Sequence, residues 1–223
     1  MLRFRVHGDM DLIPFVKVGS RCAKDIQAIM QLAGESIASR NSVLDFGCGC
    51  GRTLNWLSKD NASVSFFGTD IDEESIDWCR KNYPDIEFHV NDLSPPLSFP
   101  NNSFDLVYAV SVFSHLDEKN HLEWLEELHR VLNPSGLLLV SYHGTKSQAL
   151  LSVQERNSIA TKGFLFKVEG LGKYKLDGLP DIYQSAYIST SYIKEHWSKY
   201  FKIENIIDEG MNAHQSVVLM RKN

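Results

Sequence analysis

The chain has 223 residues, a length that one hydrophobic core can still serve, and 43% hydrophobic with 23% charged residues is an ordinary globular composition, which excludes a disordered or fibrous chain. Lys and Arg total 23 against 28 Asp and Glu, a net charge of -5, so the broad basic footprint that binds phosphate backbones is missing and no nucleic acid partner is expected. The opening MLRFRVHGDMDLIPF holds no apolar signal region, and no apolar run reaches the ~18 residues of a membrane span, so no membrane partner and a cytoplasmic location are expected. Cysteines at positions 22, 48, 50 and 79 are too few for a disulfide scaffold and lack zinc-site spacing, so no metal is expected.

Apolar periodicity alternates between short strand-like runs and helical spacing, which reads as an α/β chain with a mostly parallel sheet. After an N-terminal segment, Ile26, Ile29, Met30, Ala33 and Ile37 predict a helix within 20–39. SVLDF (42–46) is a buried strand running into glycines, and TLNWLSK (53–59) starts a helix. VSFFGTD (64–70) is the second strand. Asp72 can cap the helix EESIDWCRKN, which Pro84 follows, because a short carboxylate accepts from first-turn amides. IEFHV (86–90) and FDLVYAV (104–110) are the third and fourth strands, separated by a Pro-rich loop. A helix over about 118–132 lines up Leu122, Leu125, Leu128 and Leu132, Asn133–Gly136 stops it, and LLLVSYH (137–143) is the fifth strand.

From 145 the rhythm breaks. A short helix to about 157 leads into a stretch with Gly163, Gly170, Gly172 and Gly178 among Phe164, Phe166, Tyr174, Tyr183 and Tyr187, too long for a simple connection. Residues 145–188 read as an insertion over one sheet edge, a mobile cap facing the substrate, although an interface in a homodimer would use the same aromatics. A helix near 190–199 and the runs FKIENII (201–207) and SVVLMR (216–221) restore the pattern, so that 1–223 is one domain with 1–40 as its N-terminal segment and helix.

The chemistry concentrates in Asp45-Phe46-Gly47-Cys48-Gly49-Cys50-Gly51-Arg52 and in Gly68-Thr69-Asp70-Ile71-Asp72. A strand, a glycine turn and a helix let backbone approach a ligand closely, and an acid ending the next strand can accept both ribose hydroxyls. The dinucleotide pattern G-x-G-x-x-G would need glycine where Arg52 stands, and Asp45 suits an ammonium better than a pyrophosphate. A cofactor with an amino-acid end and no phosphate is indicated.

These motifs, together with Asn91-Asp92-Leu93, the Phe104–Ser111 strand and LHRVLNPSGLLLV (128–140), resemble the class I S-adenosylmethionine-dependent methyltransferases of the bacterial small-molecule branch over about 20–143. Ser135 stands where that family usually has a first glycine. The resemblance implies a Rossmann-like, doubly wound, seven-stranded sheet whose last strand enters antiparallel, with S-adenosylmethionine as cofactor. It also implies that Gly47, Cys48 and Gly49 meet the methionine end, Asp45 orients its ammonium, and Asp70 holds the ribose. Ile71 and Leu93 would line the adenine, Asp92 would accept from its amine, and Val110 and Ser111 would offer backbone near the methyl group. Arg52 either helps bind the carboxylate or is a solvated residue.

The function expected is methyl transfer to a small-molecule or glycan acceptor, above all a hydroxyl oxygen. A nicotinamide-dependent reductase and a non-catalytic cofactor-binding subunit are the competing readings. His115 and His143 fall at carboxyl ends of strands, where ligands bind in open α/β sheets, and either could take the acceptor's proton. His7, His89, His121, His129, His196 and His214 lack that placement and read as surface or packing residues. Ser111, Ser114 and Tyr142 are further polar candidates for substrate contact.

Overall fold

Period-two burial decides which way each strand faces. In β1 (Ser42–Phe46), Leu44 and Phe46 join one apolar cluster while Val43 joins the other, and in β4 (Phe104–Ala109), Val107 and Ala109 separate from Leu106 and Tyr108 in the same way. Both faces are therefore apolar, as a sheet covered by helices on both sides requires. The computed structural model describes residues 11–168 and 184–223. The remaining strands are β2 (Ser65–Asp70), β3 (Glu87–Val90), β5 (Leu132–Tyr142), β6 (Phe164–Lys167), β7 (Ser185–Ile188), β8 (Phe201–Met211) and β9 (Gln215–Lys222).

Seven of them form one sheet in the order β3-β2-β1-β4-β5-β9-β8. β1 pairs in parallel with β2 and β4, and β4 with β5, whereas β9 runs antiparallel to both β5 and β8. This is the mostly parallel, Rossmann-like sheet expected, with its last strand inserted beside the edge. On one face lie α1 (Leu12–Leu32), α2 (Leu54–Asp60) and α3 (Glu73–Asn82), contributing Ile26, Met30, Leu54, Leu57 and Ile76. Against the other pack α4 (Glu118–Val131) and, beyond the short α5 (Thr145–Gln148) and α6 (Val153–Lys162), α7 (Thr190–His196). Trp124, Leu125, Leu128 and Ile193 fill that layer together with Trp197, which follows α7.

Caps explain most boundaries. Asp72 accepts from the Ser75 amide and Asp117 from Asn120, each satisfying an orphan donor of a helix start. Asp11 does the same for Ile13, so α1 begins eight positions before the expected 20 and ends at Leu32, the residues to 39 holding only a short 3-10 turn at Ile37–Ser39. β5 starts at Leu132 rather than 137, because Leu132 already pairs with Phe104 before a register shift. Ser135 there has φ +62°, the left-handed backbone that makes glycine the usual residue.

The insertion is more regular than expected where it is described. Two helices replace the single short one, α6 opening on a capping box between Ser152 and Glu155 and closing on Gly163 at φ +79°. β6 and β7 then form an antiparallel ribbon from Phe164↔Ile188 to Lys167↔Ser185. It is tied to the main sheet by an isolated bridge of His143 with Tyr187 and by the Ala186 amide donating to the Ser114 carbonyl at 2.8 Å. Those segments are hydrogen-bonded structure, while Gly170, Gly172, Tyr174, Gly178 and Tyr183, like residues 1–10 with His7, lie outside the described residues.

Candidate functional site

The strand order reverses between β1 and β4, and at such a switch point a crevice opens at the carboxyl ends of the strands. β1 delivers the glycine turn there. Gly47, Gly49 and Gly51 all have positive φ, at +79°, +53° and +70°. At Gly47 space adds to the strain, since a Cβ would lie 2.2 Å from Val112 Cγ2, in the loop after β4, and one of the two would have to shift. The Gly47 and Cys48 amides both donate to the Thr69 carbonyl, at 2.8 and 2.9 Å, and Gly49 donates to Asp70 Oδ2 at 2.7 Å. Asp70 Oδ1 accepts from the Asp72 amide at 2.9 Å, so one carboxylate shapes the glycine turn and the start of α3 together. The Cys48 side chain is buried in this turn, its thiol donating to the Gly49 carbonyl at 3.5 Å.

Asp45 lies beneath the turn, 3% exposed, with the Tyr108 hydroxyl donating to its Oδ2 at 2.9 Å. Burial pushes its pKa up to about 8; the Asp70 charge acts in the same direction, against the Tyr108 hydrogen bond and the Arg52 charge. Burial also raises Asp70, opposed by the amides of Asp72 and Gly49. Arg52 is not a solvated residue. Its guanidinium lies 5.2 Å over the Phe15 ring of α1, and a Cβ on Gly19 would sit 2.4 Å from its Cγ, so α1 packs directly on it.

Beyond β2 and β3, Ile71 and Leu93 are 39% and 45% exposed, large apolar side chains left open on the edge where Asp70 ends its strand. Asp92 beside them is exposed, and Trp124 Nε1 donates to the Leu93 carbonyl at 3.3 Å. On the other side of the crevice, half-buried Val110 leads to Ser111 at φ +62°, whose amide donates to Ser141 Oγ at 2.8 Å.

The structure brings His115 and His143 together, ring centroids 6.1 Å apart. His115 Nδ1 donates to the Gln184 carbonyl at 2.7 Å and His143 Nδ1 to the Ala186 carbonyl at 3.1 Å. A carbonyl only accepts, so each neutral ring carries its proton on Nδ1 and keeps Nε2 as the lone-pair nitrogen, the form a general base needs. His214 belongs to this neighbourhood too, its centroid 6.4 Å from that of His143. It is exposed, as expected of a surface residue, and comes near because antiparallel β9 starts at the edge where β5 ends. His121 is a packing residue as expected: buried, donating from Nε2 to the Phe113 carbonyl at 2.6 Å, its pKa pushed down to about 3 by burial. Ser114 and Tyr142, 0% and 1% exposed, lie too deep for substrate contact. Among the described residues no cluster of His, Cys, Asp and Glu could hold a metal, and no helix is long and apolar enough to cross a membrane.

Residues 43–136 match the family described as a methyltransferase domain. The tRNA N(3)-methylcytidine methyltransferase of Schizosaccharomyces pombe is 26% identical over 199 residues, covering 85% of this chain and 60% of that protein. The fatty-acid O-methyltransferase of Mycolicibacterium smegmatis is 32% identical over 116 residues, covering 51% of this chain and 41% of that protein. The chain thus spans about 60% or less of the length of these relatives. In fold it is similar to a SAM-dependent methyltransferase of Methanosarcina mazei, with TM-score 0.61 and 20% identity over 82% of this chain and 92% of that one. Residues 43–136 thus match a methyltransferase domain, and the fold around them is one that S-adenosylmethionine-dependent methyltransferases share, which speaks against the reductase reading.

The buried acid makes stability depend on pH. Because the folded pKa of Asp45, about 8, lies above the unfolded value of ~3.9, the folded state holds a proton that the unfolded state has lost, and stability falls as pH rises between those values. Asp45→Asn should abolish this fall, whose limit for one proton is about 1.4 kcal/mol per pH unit. Melting curves of both proteins from pH 5 to 8 should therefore diverge in favour of the variant; parallel curves would place the pKa in the ordinary carboxylate range.

Proposed function

We propose that this chain, built on a methyltransferase domain, transfers a methyl group in line to a hydroxyl oxygen of a small-molecule or sugar acceptor. What supports the reading is that the Gly47–Gly51 turn follows β1, Asp70 ends β2, and His115 and His143 follow β4 and β5, all at the carboxyl ends of the parallel strands, with the two histidine rings side by side. S-adenosylmethionine supplies an electrophilic methyl group on a sulfonium centre. The residues fit this cofactor chemically: Asp45 and Asp70 are two buried acids suited to a ligand that brings positive charge, and Ile71 and Leu93 offer apolar surface for an adenine.

In this reading Asp70 holds the ribose hydroxyls while its other hydrogen bonds keep Gly49 and Asp72 in place. Asp45 orients the ammonium from below, Gly47 and Gly49 let backbone come close to the methionine end, and Val110 and Ser111 line the far wall. Asp92 accepts from the adenine amine. Arg52 acts from beneath α1 by steadying Asp45, and Cys48 by packing the turn. The protein's contribution to the transfer is then placement, with the acceptor oxygen held ~3 to 3.5 Å from the methyl carbon, and removal of one proton by a histidine Nε2. The net charge of -5 favours a small acceptor over the tRNA acted on by one relative.

The described parts of the insertion, 145–168 and 184–188, cap the acceptor side. The insertion leaves the end of β5, and Gln184, just before β7, and Ala186 within it supply the two carbonyls that fix the histidine tautomers. The Tyr187 ring lies 5.1 Å from that of His143, a place to hold an acceptor against the base.

Asp70→Ala should weaken binding of S-adenosylhomocysteine by about 1.5 to 3 kcal/mol, as for a hydrogen bond to a charged group; calorimetry with unchanged affinity would take Asp70 out of the site. Labelled S-adenosylmethionine offered with hydroxyl, carboxyl and amine libraries and with tRNA identifies the acceptor. With a hydroxyl acceptor the rate should rise with pH through the histidine range, and His115→Ala or His143→Ala should lose that dependence and roughly 10²-fold in turnover. Wild-type rates in both variants would leave proximity alone as the mechanism, and no turnover with any acceptor would favour the non-catalytic subunit. Tyr187→Ala should raise the acceptor KM up to about tenfold while leaving S-adenosylhomocysteine affinity unchanged. If instead this change dissociates a dimer in sedimentation without moving KM, the insertion is an interface.

A further inference from the structure

The turn between β8 and β9 brings Gln215, the first residue of β9, beneath the end of β4. Its side chain is buried, and its Oε1 accepts from Ser141 Oγ at 2.7 Å and from Ser111 Oγ at 3.0 Å. Its Nε2 donates to Ser114 Oγ at 3.4 Å. Ser141 Oγ in turn accepts the Ser111 amide at 2.8 Å, and both Ser114 and Ser141 are fully buried. Two serines and a glutamine thus close around Ser111, gripping both its amide and its hydroxyl.

A buried polar network costs more than apolar packing unless every member is satisfied, so its presence at this point asks for a geometric reason. Ser111 supplies one. At φ +62° it occupies left-handed backbone that an L-residue keeps only when its surroundings hold it there. The chain direction set at Ser111 determines where Val112 goes, and Val112 Cγ2 is the group that would meet a Cβ on Gly47. The same residue therefore links the far wall of the crevice to the glycine turn.

We propose that Gln215 is a positioning residue for cofactor binding: by holding Ser111 in the left-handed conformation it sets the backbone of 110–112 at the methionine end of the site. The inference rests on the cofactor reading above. Ser114 extends the effect, since its carbonyl accepts the Ala186 amide at 2.8 Å and so joins the network to β7, where His143 is anchored.

The test separates positioning from mere support of the fold. Gln215→Leu should weaken S-adenosylhomocysteine binding about tenfold, a hydrogen-bond-sized effect. Adding Ser111→Gly should restore most of that affinity, because glycine takes the left-handed conformation without help, even though no hydrogen bond to residue 215 returns. Calorimetry on both variants and on Ser111→Gly alone gives the comparison. Unchanged affinity in Gln215→Leu, or a double variant as weak as the single one, overturns the proposal. Where Gln215→Leu does not fold, Ser141→Ala removes the same grip from the other side and carries the same expectations. Asp70→Ala run in parallel keeps the failures apart: a loss there beside an unaffected Gln215→Leu defeats this inference alone, whereas no loss there defeats the cofactor reading with it.

Discussion

The carboxylate of Asp70 holds together parts of the site that arrive from different places in the chain. One oxygen takes the Gly49 amide at 2.7 Å and the other the Asp72 amide at 2.9 Å, so β2 fixes both the turn after β1 and the start of α3. The turn has little other choice. Its glycines are at positive φ, Gly47 is pressed against Val112, and the Thr69 carbonyl collects the two amides before Gly49. Preorganisation of this kind moves the entropy of ordering a loop from the binding step to folding, which leaves more of the contact energy for affinity.

The acceptor side is built by a different logic. The parallel strands β4 and β5 bring His115 and His143 to one edge, but their ring orientation comes from the carbonyls of Gln184 and Ala186 in the inserted ribbon. An insertion that covers a site would ordinarily be judged by its aromatic surface. Here its main chain also fixes the ring orientation of both histidines, which in the function proposed above joins cap and base in a single device.

Much of this was legible in the sequence because it is local. Asp72 as a cap, the glycine turn after SVLDF and the strand-end histidines follow from short spacings that backbone chemistry dictates. What escaped depends on contacts between distant segments. Tyr108 reaches Asp45 across 63 positions and Ser111 reaches Gln215 across 104. A tyrosine inside the apolar run FDLVYAV did signal a hydroxyl in need of a partner, but only the register of β1 against β4, with Tyr108 opposite Asp45, says which. The early start of α1 and the ordered ribbon of β6 and β7 likewise rest on an Asp11 cap and on pairing between Phe164 and Ile188, features that propensity alone does not weigh.

Asp45 and Asp70 are both desolvated, and each ionised form is disfavoured by burial, most strongly at Asp45, where the neighbouring Asp70 charge adds to the cost. Tyr108 and Arg52 offset part of that cost and leave Asp45 near 8. Such a pair is poorly served by water alone and well served by a cation, because an ammonium or sulfonium placed above it lowers the energy of the charged forms it prefers to meet. The same burial that weakens the empty fold at neutral pH therefore increases the reward for a positively charged ligand and penalises an anionic pyrophosphate in the same place. In the cofactor reading proposed above, the acid buried beneath the turn, and not only Arg52 in place of a glycine, separates the two cofactor classes that share this strand-turn-helix geometry.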